Sequence, residues 1–488
     1  MRPRFAVALV ALGACAQGGT VASSTSTTPA PATSAVDLTK PPVLGRPKAL
    51  TLPPVVTRDL PNGLRLMVVE QHELPLADFV LVVKSGAETD EPGKLGTATL
   101  ATNLLKEGTT TRNSLQIADQ EAFLGVDLFA GSGWDATTIQ LHTPTAQMDS
   151  ALALFADVAL RPAFPTKELE RLRQQRLTSL LQVKDRGPEI ANRAYAAIVY
   201  GNAAYGRSAT GDEPNTSAIQ QADVRRFYDT YFRPNNATLL VVGDVKPDDI
   251  ERRVKALFGS WARGAIPAPA YGEPPAAKGT TIYLVDKPGA AQSSFRIGSV
   301  GVARSTQDYF PLTVMNTALG GSFTSRLNQN LRETKAYTYG ASSAFVMRRA
   351  PGPFTASAEI VAAKTDSALI EFMKELRAIR DTIPKEELEK TKRYLQLQLP
   401  GRFETTGGIA GNLAGLVTYD VPLNFYNTYT QGIDAVTQAD VERVAKKYID
   451  PDKLAIVIVG DRKSIEPTLK AANIGNVVVV DITGRPAM

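Results

Sequence analysis

The chain repeats itself. Gln221-Ala-Asp-Val-Arg-Arg-Phe-Tyr-Asp-Thr-Tyr-Phe-Arg-Pro-Asn-Asn-Ala-Thr-Leu-Leu-Val-Val-Gly-Asp244 aligns without a gap on Gln438-Ala-Asp-Val-Glu-Arg-Val-Ala-Lys-Lys-Tyr-Ile-Asp-Pro-Asp-Lys-Leu-Ala-Ile-Val-Ile-Val-Gly-Asp461, with ten of 24 positions identical at an offset of 217. That density makes the folded body a duplication, so whatever one half folds into, the other must fold into as well. Each copy reads as a capped helix, a Pro turn and a buried strand ending in Gly-Asp. The openings agree more loosely: Gly63 to Val83 gives two strand-like runs around a turn, and Thr280 to Gly298 gives the same around Lys287-Pro-Gly289.

Each half therefore begins with strands, continues with helices and returns to helix and strand. That order predicts an α+β fold of two homologous domains, each with helices packed on a mostly antiparallel sheet. The expected boundaries are 49–266 for the N-terminal domain, 267–279 for a linker and 280–488 for the C-terminal domain. Pro267, Pro269, Pro274 and Pro275 give the linker a semi-rigid composition.

Residues 1–15 read as a signal peptide: Arg2 and Arg4, a short apolar run from Phe5 to Leu12, then Leu12-Gly-Ala-Cys15. Eight apolar residues are too few to span a bilayer. The ending resembles a bacterial lipoprotein box, which implies lipid attachment at Cys15 after cleavage. Cys15 is the only cysteine, so neither an intramolecular disulfide nor a cysteine metal site can form. An ordinary secretory signal with a chance cysteine is the alternative. Ala16, with no Asp after the cysteine, leans toward the outer membrane, with the body facing the periplasm of a bacterial cell envelope. Residues 16–48 are Ser, Thr, Ala and Pro with almost no large apolar side chains, the composition of a disordered tether with a reach of about 30 Å.

Charge names no partner. The net +5 falls to +3 once the leader's two arginines are removed, and no basic run marks a nucleic-acid footprint.

The chemistry centres on Gly96-Thr-Ala-Thr-Leu-Ala-Thr-Asn-Leu-Leu-Lys-Glu-Gly-Thr109. Leu95, Ala98, Thr102 and Leu105 recur at helical spacing and Gly108 stops the run, so residues 95 to 106 are expected to form a short helix with one buried face. Thr99, Thr102 and Asn103 stand at i, i+3 and i+4, a spacing that brings two ligands and a base to one ion in the H-x-x-E-H arrangement. Two hydroxyls and an amide are neither good zinc ligands nor a base near neutral pH. By itself the stretch reads equally as a buried helix with small polar residues. The only histidines, His72 and His142, lie 70 residues apart without a neighbouring ligand. His72 is expected to be solvated and His142 to be a structural strand residue.

The flanking residues resemble the pitrilysin/insulinase family of zinc metallopeptidases, where a strand ending in Ser-Gly leads into G-x-A-H-x-x-E-H-x-x-x-x-G-T. Here Lys84-Ser-Gly-Ala-Glu-Thr89 ends the strand, and Gly96, Ala98, Gly108 and Thr109 fall where the family's residues do. Thr99, Thr102 and Asn103 replace His, Glu and His. The family's last ligand, a Glu on a later helix, falls near Ser179 or Leu180 on a helix expected over Lys167 to Val183. Tyr200 to Gly211 is a further family-like stretch, and the resemblance covers roughly residues 55 to 485.

In the second half, Leu319-Gly-Gly-Ser-Phe-Thr-Ser-Arg-Leu327 reads as a flexible glycine turn before a helix from about Ser325 to Glu333, without the pattern of a phosphate loop. With Leu331-Arg-Glu-Thr-Lys-Ala-Tyr-Thr-Tyr-Gly340, it resembles the family's S-R-L…L-R-E…Y segment, whose Arg and Tyr reach the substrate near the zinc of an opposite domain. The matching residues are Arg332 and Tyr339, which are otherwise readable as surface residues. An Arg fork can hold a peptide carbonyl or carboxylate, and a Tyr hydroxyl can donate to an oxyanion.

The resemblance thus implies a zinc-free, non-catalytic subunit. It would pair with a zinc-bearing homologous subunit to close a chamber around peptides or unfolded segments, with Arg332 and Tyr339 assisting the partner's site. The membrane enters only through the N-terminal lipid. A structural or peptide-binding protein that takes extended peptides at a sheet edge is the alternative, and a self-sufficient hydrolase is a third.

Overall fold

A computed structural model describes residues 51–486. The signal peptide expected over residues 1–15 with Cys15, and the tether expected over residues 16–48, lie outside the described residues. Among the described residues twelve strands form two six-stranded sheets. The first half supplies β1 Val56–Asp59, β2 Arg65–Glu70, β3 Leu76–Val83, β4 Asp127–Ser132, β5 Thr137–Pro144 and β6 Ala237–Gly243, in the order β1-β2-β6-β3-β5-β4. The second supplies β7 Thr281–Asp286, β8 Gln292–Val300, β9 Thr338–Phe345, β10 Pro353–Val361, β11 Ala455–Gly460 and β12 Asn476–Val480, in the order β12-β7-β11-β8-β10-β9. Pairing is antiparallel except for β2 with β6, β7 with β11 and β7 with β12, so the expected α+β architecture of two like domains on mostly antiparallel sheets is what forms.

The repeated stretch is a helix, Gln221–Tyr231 or Gln438–Tyr448, leading into β6 or β11. Its identities have contacts. The Asp223 carboxylate accepts the Gln220 N–H at 2.8 Å and that of Asp440 accepts the Thr437 N–H at 3.1 Å, satisfying an N–H at each helix start. Arg226 reaches back to Glu91, and Arg443 to Asp308, in the two loops that precede the helices Thr97–Leu104 and Tyr309–Asn316.

The apolar runs of β6 and β11 serve two cores each. Successive strand side chains point to opposite faces. Leu239 and Val241 pack with the first half's own helices, while Leu240 and Val242 pack with Met67, Val69, Val80 and Val82 against the helix Thr406–Thr418 of the second half. Val457 and Val459 face the helix Gly187–Tyr200 of the first half, through Ile190, Ala194, Tyr195 and Val199. Each half therefore lends one helix to the outer face of the other half's sheet. A strand covered on both faces has no use for a polar residue, which is why the repeat ends in unbroken apolar runs. No helix or strand occurs between Phe258 and Thr281.

Candidate functional site

The helix Thr97–Leu104 stands where the sequence places it, followed by one tighter turn over Leu105–Glu107. Its three polar positions do not converge. Thr102 is fully buried and its hydroxyl donates to the Ala98 carbonyl at 2.8 Å, one turn back. The Thr99 hydroxyl donates to the Gly96 carbonyl at 3.0 Å and approaches that of Ala209 at 3.3 Å. Asn103 is exposed. Ser179 is exposed too, its hydroxyl turned back to the Gln175 carbonyl, and Leu180 is buried. This donor set does not fit zinc, and among the described residues no group of three His, Cys, Asp or Glu side chains comes close enough to share an ion.

A buried acid and an arginine bind the backbone of the helix start instead. The Asp90 carboxylate accepts the Gly96 N–H at 2.7 Å and the Ala98 N–H at 2.8 Å, and Arg176, from the helix Thr166–Val183, donates to the Gly96 carbonyl at 2.8 Å. Burial pushes the Asp90 carboxyl up to about 7 against the pull of those N–H groups and of Arg176, and takes the Arg176 guanidinium down to about 10. Gly96, at φ +91°, and Gly211, at φ +74°, let the 208–211 loop lie on this helix start: a Cβ at either would meet a backbone oxygen, of Thr210 or of Leu95, within 2.7 Å. Neither Asp90 nor Arg176 was singled out by the motif. Their signal was only the retained Gly96 and an arginine one turn before the vacated ligand position.

Beside this helix a cavity of about 1340 Å³ opens between the halves. Its lining includes Leu95 and Thr210, Arg193 of the Gly187–Tyr200 helix, Ser342 of β9, Thr355 of β10, and Arg348. Its wall is tied by Asp135, 2% exposed, whose carboxylate accepts the Tyr205 hydroxyl at 2.7 Å, the Tyr271 hydroxyl at 3.3 Å and the Arg349 N–H at 3.1 Å. Tyr205 belongs to the family-like stretch Tyr200 to Gly211, so part of that stretch is a seam between the halves. The Arg348 guanidinium stacks over Tyr205 at 4.6 Å and Trp134 at 5.1 Å.

Arg332 and Tyr339 are not among the residues that line this cavity. Arg332 stacks on Phe323 at 4.6 Å, with a 3.5 Å pair to its neighbour Glu333. Tyr339 lies on the edge strand β9, 90% exposed, and its hydroxyl has no hydrogen-bond partner among the described residues. The helix expected over Ser325 to Glu333 forms over 326–334, but after one α turn, Arg326–Asn328, it widens into a π turn, Gln329–Thr334. Gly320 and Gly321 close another π turn, Thr317–Gly321, in place of a flexible loop. The reason is packing: Gly320 is buried so tightly that a Cβ would sit 2.3 Å from the Ser343 nitrogen of β9.

The two histidines stay apart. His72 is half exposed at the surface, with ring nitrogens 2.7 Å from Asp244 and 3.1 Å from Glu70, whose hydrogen bonds raise its pKa. His142, on β5, faces Asp78 of β3 at 3.0 Å.

Comparison with known families decides the relationship. The family model described as insulinase, peptidase family M16, matches residues 66–213, and that described as the peptidase M16 inactive domain matches 218–395, together two thirds of the chain. The chain belongs to the M16 family. An uncharacterized zinc protease of Mycobacterium leprae is 27% identical over 286 residues, covering 58% of this chain and 64% of that protein, so this chain spans just under two thirds of its length. A protein of Helicobacter pylori named a non-peptidase homolog is 23% identical over 399 residues, covering 81% of this chain and 91% of its own. The crystal structure of a peptidase M16 inactive domain from Pseudomonas fluorescens superposes with a TM-score of 0.78 at 26% identity, over 83% of this chain and 98% of that one. Within the M16 family, the model described as an inactive domain covers the second half of this chain, and Thr99, Thr102 and Asn103 of the first half are not zinc ligands.

Proposed function

We propose that this chain is the non-catalytic subunit of a heteromeric zinc metalloendopeptidase. It closes a chamber with a zinc-bearing homologous subunit and offers Arg332 and Tyr339 to the peptide held there. The observation that carries this reading is Tyr339, a phenol on an edge strand that serves no packing purpose and has a free hydroxyl. The M16 body around it is otherwise kept. In this reading a zinc ion held by the partner would supply the Lewis acid, while the Tyr339 hydroxyl would donate to the developing oxyanion and the Arg332 fork would hold a substrate oxygen.

In the reconstituted pair, Tyr339→Phe is expected to lower turnover about 10- to 100-fold, less than the loss of a sole oxyanion donor because zinc shares the charge. Arg332→Ala raises KM as well, since it removes contacts made before the transition state. Gel filtration should show assembly unchanged in both. Full activity in the double variant with assembly intact would reduce the chain to a scaffold that captures peptide at a sheet edge.

We also place the protein at the bacterial outer membrane, held by lipid on Cys15 and facing the periplasm. Several acyl chains anchor firmly where one does not, so Cys15→Ser is expected to abolish fatty-acid labelling and move the protein to the soluble fraction. Unchanged membrane partitioning would refute the anchor.

A further inference from the structure

We propose that the cavity between the halves binds peptide carboxylates, received by Arg193 and Arg348. The site lies within one chain and does not depend on a partner subunit. At about 1340 Å³ the cavity exceeds the roughly 300–1,000 Å³ of small-molecule pockets and has room for an extended peptide segment. Six cationic side chains line it, Lys184, Arg193, Arg207, Arg296, Arg348 and Arg485, against three carboxylates, Glu189, Asp212 and Glu213.

The cations are not equally free. Arg296 is held by Asn192 at 2.7 Å and Glu359 at 3.3 Å, and Lys184 lies 3.8 Å from Glu213. Arg193 and Arg348 are both partly buried, and among the described residues neither side chain has a hydrogen bond or an ion pair. Asp135, the acid beneath Arg348, is already filled by Tyr205, Tyr271 and the Arg349 N–H. Burial lowers the pKa of both guanidinium groups, outweighing the pull of Glu189 and Asp212 on Arg193 and of Asp135 on Arg348, so neither cation has a partner that makes up for the water it has lost. A guanidinium in that condition is matched by a carboxylate, which two parallel N–H groups can grip. The hydroxyls of Ser342, Thr355 and Ser357 on the same lining offer partners to a peptide main chain. Arg193 comes from the helix lent by the first half and Arg348 from the β9–β10 turn of the second, so an occupant would touch both halves.

Fluorescence anisotropy on the purified chain tests this with labelled dodecapeptides carrying three Glu, three Gln or three Lys, each as free acid and as C-terminal amide. The Glu peptide is expected to bind at least 10-fold more tightly than the Gln peptide. Arg193→Gln and Arg348→Gln should each remove about 10-fold or more of that preference while leaving the Gln peptide's Kd unchanged. A loss on amidation assigns the site to the chain terminus, and no loss assigns it to side-chain carboxylates; either supports the proposal. Arg193→Gln breaks no hydrogen bond or ion pair among the described residues and decides the matter even if Arg348→Gln disturbs the seam. Equal binding of Glu and Gln peptides would overturn it. So would an acidic preference that survives Arg193→Gln, or one lost equally on Lys463→Gln, an exposed cation outside the cavity.

Discussion

Glu88 is the residue whose environment most clearly sets a solution property. One carboxylate oxygen accepts the Gly86 N–H at 2.9 Å and the other is buried without a partner. Burial, with Asp135 nearby, pushes its pKa from 4.5 up to about 8. In the unfolded chain this carboxyl gives up its proton near 4.5. The folded state then binds more protons than the unfolded between about 4.5 and 8, and stability must fall as pH climbs through that window. Glu88→Gln keeps the acceptor and removes the charge. Thermal unfolding of the variant should show a flatter profile between pH 5 and 8 and a higher midpoint than the parent at pH 8. Identical profiles would mean that Glu88 ionises freely in the fold. Asp308 runs the other way. Tyr448, Arg443 and Lys447 overcome the effect of burial and hold it near 2, so its contribution is complete above about 4 and is lost only as pH drops toward 2. The Ser-Gly-Ala-Glu-Thr strand end was legible around Glu88, but its burial was not, because Trp134 and Asp135, which close over it, come from another turn of the chain.

At the scale of elements, the helix Thr406–Thr418 carries a cost that can be measured. Gly411 and Gly415 sit on its exposed side, and a Cβ at either would meet nothing within 4 Å. Glycine in a helix interior costs roughly 0.5–1 kcal/mol relative to alanine. Gly411→Ala is therefore expected to stabilise the chain by about that amount in denaturant unfolding, and a destabilising result would show that the face is covered by something. The strands and helices of the repeat were readable because local signals agree there: a capped start, a proline, then an apolar run. The π turns around Gly320 and Arg332 were not, since their hydrogen-bond spacing is set by how closely β9 approaches. Nor did the apolar face of Thr406–Thr418 say which sheet it would cover; a hydrophobic stripe predicts burial without naming the partner.

For the whole molecule, the exchange of helices makes the halves interdependent. Without its visiting helix, the first sheet bares a face of six large apolar side chains, Met67, Val69, Val80, Val82, Leu240 and Val242. At about 1.5–3 kcal/mol each, their exposure is comparable to the roughly 5–15 kcal/mol that holds a domain together. Residues 49–266 or 280–488 expressed alone should aggregate or fail to fold, and co-expression should rescue both as one complex on gel filtration. Soluble, monomeric, folded halves would contradict this. The duplication and the fold class were legible in the sequence. The Asp90 and Arg176 pair, the cavity and the Asp135 seam were not, because each joins segments whose proximity only the assembled halves create.

The connector between the halves has a different kind of consequence. It carries no helix or strand and is exposed over most of its length, while the helices on either side are interlocked. A protease that cleaves at Lys278 severs the covalent link and nothing else: the nicked product should run as two bands under denaturing electrophoresis and as one particle in a native gel. The chain can thus lose its continuity without losing its shape.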